Sequence, residues 1–349
     1  MGSKSQSPMS MLVLHENIGA EARADELDTL VQVEQVSAAL RQLGWHVSTL
    51  QAGLDLEALL ASIKEQQPVC VFNLVESLGG DGQMVHFIPA LLRAAGMLFT
   101  GCDSDAIYLS SQKQMAKNWM RLNGIPTPPS FSTETAHPAK SCWIVKSLWE
   151  HASFGMDDGC VVNGLEATRA RLKESTDRYG GEWFAEQFVD GREFNISVLE
   201  QDGKPFILPI AEIRFSDYPD DKPKIVGYAA KWDEEAPEYL ATPRTFPSLP
   251  ESLFEALTRV VHKCWQSFGL KGYARVDIRV DEQGKPWVLE VNANPCISRD
   301  AGFAAAAGRV GIGYEQLIER VVAAGLRTGS SVGPWAAART EYFATIGKG

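Results

Sequence analysis

The chain has 349 residues, 45% hydrophobic and 22% charged, with a formal net charge of −11 at pH 7, enough apolar material for two or three domains with cores of their own. An acidic chain without a basic stripe is a poor general partner for nucleic acid, whose phosphates are bound by clustered Lys and Arg, and no apolar run reaches the length that crosses a membrane. Six scattered cysteines (Cys70, Cys102, Cys142, Cys160, Cys264, Cys296) lack the spacing of a zinc site or disulfide framework, which fits a soluble enzyme in a reducing cytoplasm.

The polar opening MGSKSQSPMS has no apolar signal region and is expected to lie outside the fold. Residues 11–14 read as a short buried strand, 27–43 as an amphipathic helix, 45–50 and 69–74 as strands, the last running into the turn Gly79-Gly80-Asp81-Gly82. Strand, helix and strand in that order make a βαβ pattern and an α/β fold. Residues 99–102 close this unit, and the chain breaks near 104–110. A helix over 112–123, stopped by Gly124 and Pro126, and a strand over 143–146 open the next. Texture changes again after Val189, so the expected pieces are 1–103, 104–185 and 186–328, with a tail 329–349 of no assigned role. Residues 212–243 are rich in Pro, Asp and other charged residues, a composition that forms no core and suits a lid over a site.

The segment 274–295, ARVDIRVDEQGKPWVLEVNANP, carries the most information. Alternation predicts a hairpin with Ala274, Val276, Ile278 and Val280 on the core face of one strand and Trp287, Leu289 and Val291 on that of the other. Parity across a 282–285 turn then sets Asp277 opposite Glu290 and Arg275 opposite Asn292 on the polar face. Opposed carboxylates about 4.5–5.5 Å apart destabilise a sheet unless a cation lies between them. Two carboxylates and an amide oxygen suit magnesium, which takes oxygen ligands and leaves positions for phosphate. The competing reading is a hairpin with a solvated polar face.

The Arg275-x-Asp277 and Glu290-x-Asn292 pattern resembles the last hairpin of the ATP-grasp carboxylate-amine ligases, and among them the D-alanine-D-alanine ligases, with a likeness clear over about 100–328. The resemblance implies a three-domain ATP-grasp fold with nucleotide held between two α+β domains: a pre-ATP-grasp unit over 1–103, a central subdomain over 104–185 and a C-terminal subdomain with the metal site over 186–328. It implies phosphate-binding lysines at Lys113, in the segment running to Lys117, and at Lys146 after Ile144-Val145. It implies a phosphate-covering loop at 150–156, where Ser153 and Gly155 fit and His151 and Ala152 depart. An adenine wall at Glu186, Gln187 and Val189, a ribose ligand at Glu193 and a lid lysine at Lys231 follow in the same way. Phe184, Phe188 and Phe194 are open to a plain reading as core.

The reaction so implied transfers phosphate from ATP to a substrate carboxylate, then lets an amine attack the acyl phosphate, with ADP and phosphate released. ATP is the cofactor, with two magnesium ions on Asp277, Glu290 and Asn292, replaceable by manganese, and Arg275 on the oxyanion. No covalent nucleophile is needed, so Cys296 contributes its backbone N–H rather than its thiol. Trp232, Ala152 and the pair Ala301-Gly302 stand where the D-alanine ligases have a tyrosine, a serine and a Ser-Leu pair, and these losses point away from two D-alanines. Glu16 and Glu76 are candidates for a different ammonium site or are ordinary surface acids. Small amino-acid or carboxylate substrates and a homodimer are the expected partners, with no nucleic acid and no membrane. A true D-alanine-D-alanine ligase and a non-catalytic ATP-binding regulator are the alternatives.

Overall fold

The structure, a computed structural model, describes residues 9–327 apart from 20, 21, 23, 133–140, 151, 217, 219–221 and 234. The expectations placed on His151 and on the tail 329–349 lie outside the described residues.

A first sheet has β1 (Ser10–Glu16) at its centre, parallel to β2 (His46–Ala52) and β3 (Cys70–Asn73). Helices Ala24–Gln42 and Leu56–Gln66 make the crossovers that parallel pairing requires. Ser10, read as part of the polar opening, begins β1, and its carbonyl accepts the Val69 N–H at 2.8 Å. Backbone bonds from Val71 to Leu98 and from Thr100 to Val71 extend the sheet past β3. The expected break near 104–110 is instead a helix, Ser104–Ser111, followed at once by Lys113–Leu122. Its two closing serines are both buried, and the Ser110 hydroxyl is satisfied by the Ile107 carbonyl at 3.2 Å.

A second sheet joins β4 (Cys142–Ser147) antiparallel to β5 (Val161–Asn163) and β6 (Trp183–Gln187) around a small core of Trp143, Val145 and Ala185. The third and largest contains β7 (Arg192–Gln201), β8 (Lys204–Ile207), β9 (Ala211–Ile213), β10 (Arg244–Thr245), β11 (Tyr273–Val280) and β12 (Pro286–Asn292), in the order β10-β9-β7-β11-β12 with β8 paired to β7. Its inner face shares one core with helices Ser104–Ser111, Lys113–Leu122 and Glu251–Ser267 and with part of the first sheet. Among the described residues no helix is long and apolar enough to cross a membrane.

The hairpin pairs Arg275 with Asn292 and Asp277 with Glu290 as parity predicts, but a β-bulge after Asp277 shifts the rest, so Ile278 faces Val288. Val288 and Val291 are therefore the core residues of β12, while Trp287 and Leu289, expected in the core, are only partly buried. One extra residue in a strand reverses the side-chain alternation beyond it.

Candidate active site

One cleft of about 630 Å³ is lined by residues from all three sheets. On its floor Arg275 grips Asp277 with two parallel bonds, Nε to Oδ1 at 2.8 Å and Nη2 to Oδ2 at 2.9 Å. Asn195 of β7 adds a third, Nδ2 to Oδ1 at 2.9 Å. The positive partner demanded by the opposed acids is thus supplied here by Arg275. Two donors fill Oδ1 and one reaches Oδ2, which leaves Asp277 acceptor capacity on Oδ2; the Asn292 amide oxygen likewise takes one donor, the Asn294 N–H at 3.0 Å. With Glu290 opposite, two carboxylates and an amide oxygen face the cleft, a donor set that fits a hard divalent cation.

Lysines stand at the wall. Helix Lys113–Leu122 buries Lys113 and Lys117 on one face, four residues apart. Lys113 Nζ donates to the Glu150 carbonyl at 2.6 Å, while Lys117 pairs with Glu186 and donates to Thr127 Oγ1 at 3.1 Å and the Leu289 carbonyl at 3.2 Å. Lys146 of β4 meets the other oxygen of Glu186 at 2.8 Å. Burial alone would raise the Glu186 carboxyl, but the Lys117 and Lys146 ammonium groups override it and hold it below its ordinary value. Burial lowers Lys113 and Lys117, whereas for Lys146 the attraction of Glu186 overcomes the same burial and raises it.

The expected adenine wall at β6 lines the cleft, yet much of it is engaged within the protein. The Glu186 carboxylate is held by two lysines, the Gln187 N–H donates to the Pro129 carbonyl at 2.9 Å, and the Val189 carbonyl accepts from Arg279 at 3.2 Å. Arg279 also holds Glu193, at 2.9 Å through Nε and 2.7 Å through Nη2, and lies over the Phe188 and Phe215 rings. Phe184 and Phe194 are core, and Phe188 is partly buried at the cleft.

Above these groups the loop 152–156 and the helix Tyr228–Trp232 face each other, bringing Ser153 and Lys231 into the same cleft. Gly155 has φ +66°, and a Cβ there would come within 2.4 Å of the Trp183 ring, so only glycine fits. Lys231 has much of its surface open, but the enclosing walls, then the Arg275 guanidinium, lower its ammonium.

At the far end lie Glu16, Glu76, Cys296, Ala301 and Gly302, with Glu26 and Asp28 beside them. Glu16 is not a surface acid: it is 5% exposed and accepts from Thr29 Oγ1 at 3.0 Å and the Glu76 N–H at 3.1 Å. Burial raises its carboxyl, and Glu26 adds to this. Burial also pushes the Cys296 thiol up to about 12, and its Sγ donates to Asp28 Oδ2 at 3.3 Å. Cys296 is therefore expected to resist iodoacetamide at pH 7.5; rapid alkylation seen by peptide mass would contradict this. Arg244 of β10 reaches over Gly302, where an added Cβ would sit 3.2 Å from its Nε.

Asn195, Arg244 and Arg279, which line the cleft, and Lys117, which pairs with Glu186, have roles that the sequence did not reveal. Two carried a legible signal: Arg279 shares the polar face of β11 with Arg275 and Asp277, and Lys117 lies one helical turn from Lys113.

Comparison with known proteins agrees with this architecture. The family model described as D-ala D-ala ligase C-terminus matches residues 129–323. A protein of Gloeobacter violaceus named D-alanine–D-alanine ligase is 29% identical over 301 residues, covering 84% of this chain and 93% of the relative. An uncharacterized protein of Sinorhizobium fredii is 28% identical over 300 residues, covering 83% of this chain and 85% of the relative. The crystal structure of D-alanine–D-alanine ligase from Bacillus anthracis, complexed with ATP, superposes with a TM-score of 0.71 at 20% identity, covering 93% of this chain and 98% of that one. The match of the family model to more than half of the chain makes it a member of the D-ala D-ala ligase C-terminus family, an ATP-dependent, ADP-forming carboxylate-amine ligase of the ATP-grasp fold.

Proposed function

We propose that the cleft takes Mg-ATP together with a carboxylate and an amine substrate other than two D-alanines, and joins them in an amide bond. The observation that carries this reading is the convergence of Lys113, Lys146, Lys231 and Arg275 with Asp277, Glu290 and Asn292 in one cleft, because phosphoryl transfer needs positioned charge more than it needs a nucleophile. Asp277, Glu290 and Asn292 would hold the metal, which supplies neutralisation of phosphate charge. Lys113, Lys146 and Lys231 bind phosphate oxygens, with Ser153 and Gly155 covering them. Gln187, Val189 and the backbone of Glu186 flank the base, and Glu193, oriented by Arg279, receives the ribose. Arg275 stabilises the oxyanion formed when the amine attacks, beside the Cys296 backbone N–H.

Glu16 and Glu76 form the ammonium end of the substrate pocket, next to Trp232, Ala301 and Gly302. The absence of hydroxyls at Ala152, Trp232 and Ala301-Gly302, with Glu16 buried against the cleft, supports substrates different from those in the relatives' names. The division at 103, 185 and 328, a cytoplasmic location and a homodimer belong to the same proposal. Those names favour a second reading, D-alanine-D-alanine ligase. Phosphate and ADP release from Mg-ATP, screened against D- and L-amino acids singly and in pairs, separates the two. Release that depends on a pair other than two D-alanines supports the first, and release with D-alanine alone rejects it.

A further inference from the structure

Among the described residues three arginines line the cleft, and the fold supplies a carboxylate to two of them. Arg275 grips Asp277, and Arg279 holds Glu193. Arg244 is given none: its one hydrogen bond runs from Nη1 to the Asp300 backbone carbonyl at 3.3 Å, and the Asp300 carboxylate acts on it only from farther off. A guanidinium carries five N–H donors, so most of this fork is unused. Its stem is nonetheless fixed, because β10 pairs Arg244 with Ile213 of β9, itself a cleft residue, and the Arg214 N–H donates to the Pro243 carbonyl at 3.0 Å. A Cβ on Gly302 would stand 3.2 Å from Nε, 3.5 Å from Cζ and 3.7 Å from Nη2. Three such similar distances mean that the guanidinium lies with its face against Gly302, and a fork stacked by its face keeps its donor-bearing edge free. Burial, then the Arg275 guanidinium, disfavours the charge on Arg244, and an anion bound there would offset both.

We infer that Arg244 is a specificity-determining residue that holds the carboxylate of the amine substrate, which is therefore an amino acid or peptide whose own carboxylate passes unchanged into the product. The proposed reaction turns one carboxylate into an acyl phosphate beside the lysines and the metal ligands. A second carboxylate in the same cleft competes for that position unless something holds it elsewhere. Arg244 does so over Gly302 and beside Asp300, and planar two-bond recognition of a carboxylate is what a guanidinium does better than an ammonium. A substrate amine lacking the carboxylate leaves this fork unanswered inside the cleft, so the site discriminates against it. The inference rests on the ligase reading for the fate of that carboxylate, and on Arg244 alone for its binding.

Phenylglyoxal, which condenses with guanidinium groups, reads the site without turnover when adducts are mapped by peptide mass. With magnesium and a non-hydrolysable ATP analogue present, a mixture of free D- and L-amino acids is expected to slow adduct formation at Arg244 in the full chain, and the same mixture as carboxamides is not. Equal protection by both, or none from the free acids, would overturn the carboxylate site whatever the activity. With a productive substrate pair, replacing the amine substrate by its carboxamide is expected to lower kcat/KM about 10- to 100-fold in the wild type, the scale of a hydrogen bond to a charged group. In Arg244→Gln the same replacement should change little, with the KM for ATP as in the wild type. A wild type indifferent to the carboxamide, or a variant whose main defect is in the KM for ATP, would overturn the assignment. If no pair turns over while the free acids alone protect Arg244, the ligase reading falls and the carboxylate site stands.

Discussion

Replacing Glu186 by alanine is expected to cost about 3–5 kcal/mol of folding stability, the range for breaking a buried ion pair by removing one partner. Glu186, on β6 beside β4, is fully buried and carries both Lys117, 1% exposed, and Lys146. Without it two ammonium groups lose the one carboxylate they share. Thr127 and the Leu289 carbonyl still hold Lys117 but cannot offset its charge. Urea denaturation at pH 7 measures this, and a loss under about 1 kcal/mol would show that the network is worth no more than a surface pair. The pH dependence has a definite sign. Because the folded-state carboxyl of Glu186 is held below its ordinary value, its contribution is complete above the ordinary carboxylate range. It is lost as pH falls through the depressed folded value, and the alanine variant should lack that acid limb.

Glu290→Gln and Asp277→Asn are each expected to lower ADP formation by at least about 100- to 1,000-fold, the scale of removing one preorganised charge-stabilising group. Both substitutions keep the size of the side chain and remove a formal charge from the pair that faces the cleft across the hairpin. Asp277 has a second duty, since Arg275 holds it through two bonds; its loss leaves a partly buried guanidinium without its carboxylate, so this variant should also be the less stable of the two. ADP release and thermal unfolding measured on both proteins separate the effects. Turnover retained in either would remove that residue from the metal set.

What could be read from the sequence was the part governed by periodicity. Alternation along β11 set its core face and the facing of Asp277 by Glu290, and the spacing of apolar residues located the first βαβ unit. The β12 core face was misread because a bulge after Asp277 adds a residue that no alternation rule contains, putting Val288 where Leu289 was expected. The helix Ser104–Ser111 was not legible because its polar residues are met by the fold itself, as where the buried Ser110 hydroxyl bonds to the Ile107 carbonyl one turn back. Long-range partnerships were invisible: Lys117 with Glu186, Arg279 with Glu193 and Trp232 with Ala152 join residues 69, 86 and 80 positions apart. In each of these pairs the sequence shows the charge or donor, and only the fold shows what it meets.

The central claim is that a carboxylate is activated as an acyl phosphate and captured by an amine. Its most direct test uses a productive substrate pair whose carboxylate oxygens are labelled with ¹⁸O. Attack of a carboxylate oxygen on the γ-phosphorus leaves that oxygen with phosphorus when the amine displaces it, so the released phosphate is expected to carry one labelled oxygen and the amide to keep the other. Unlabelled phosphate, or label appearing in AMP, would contradict the mechanism.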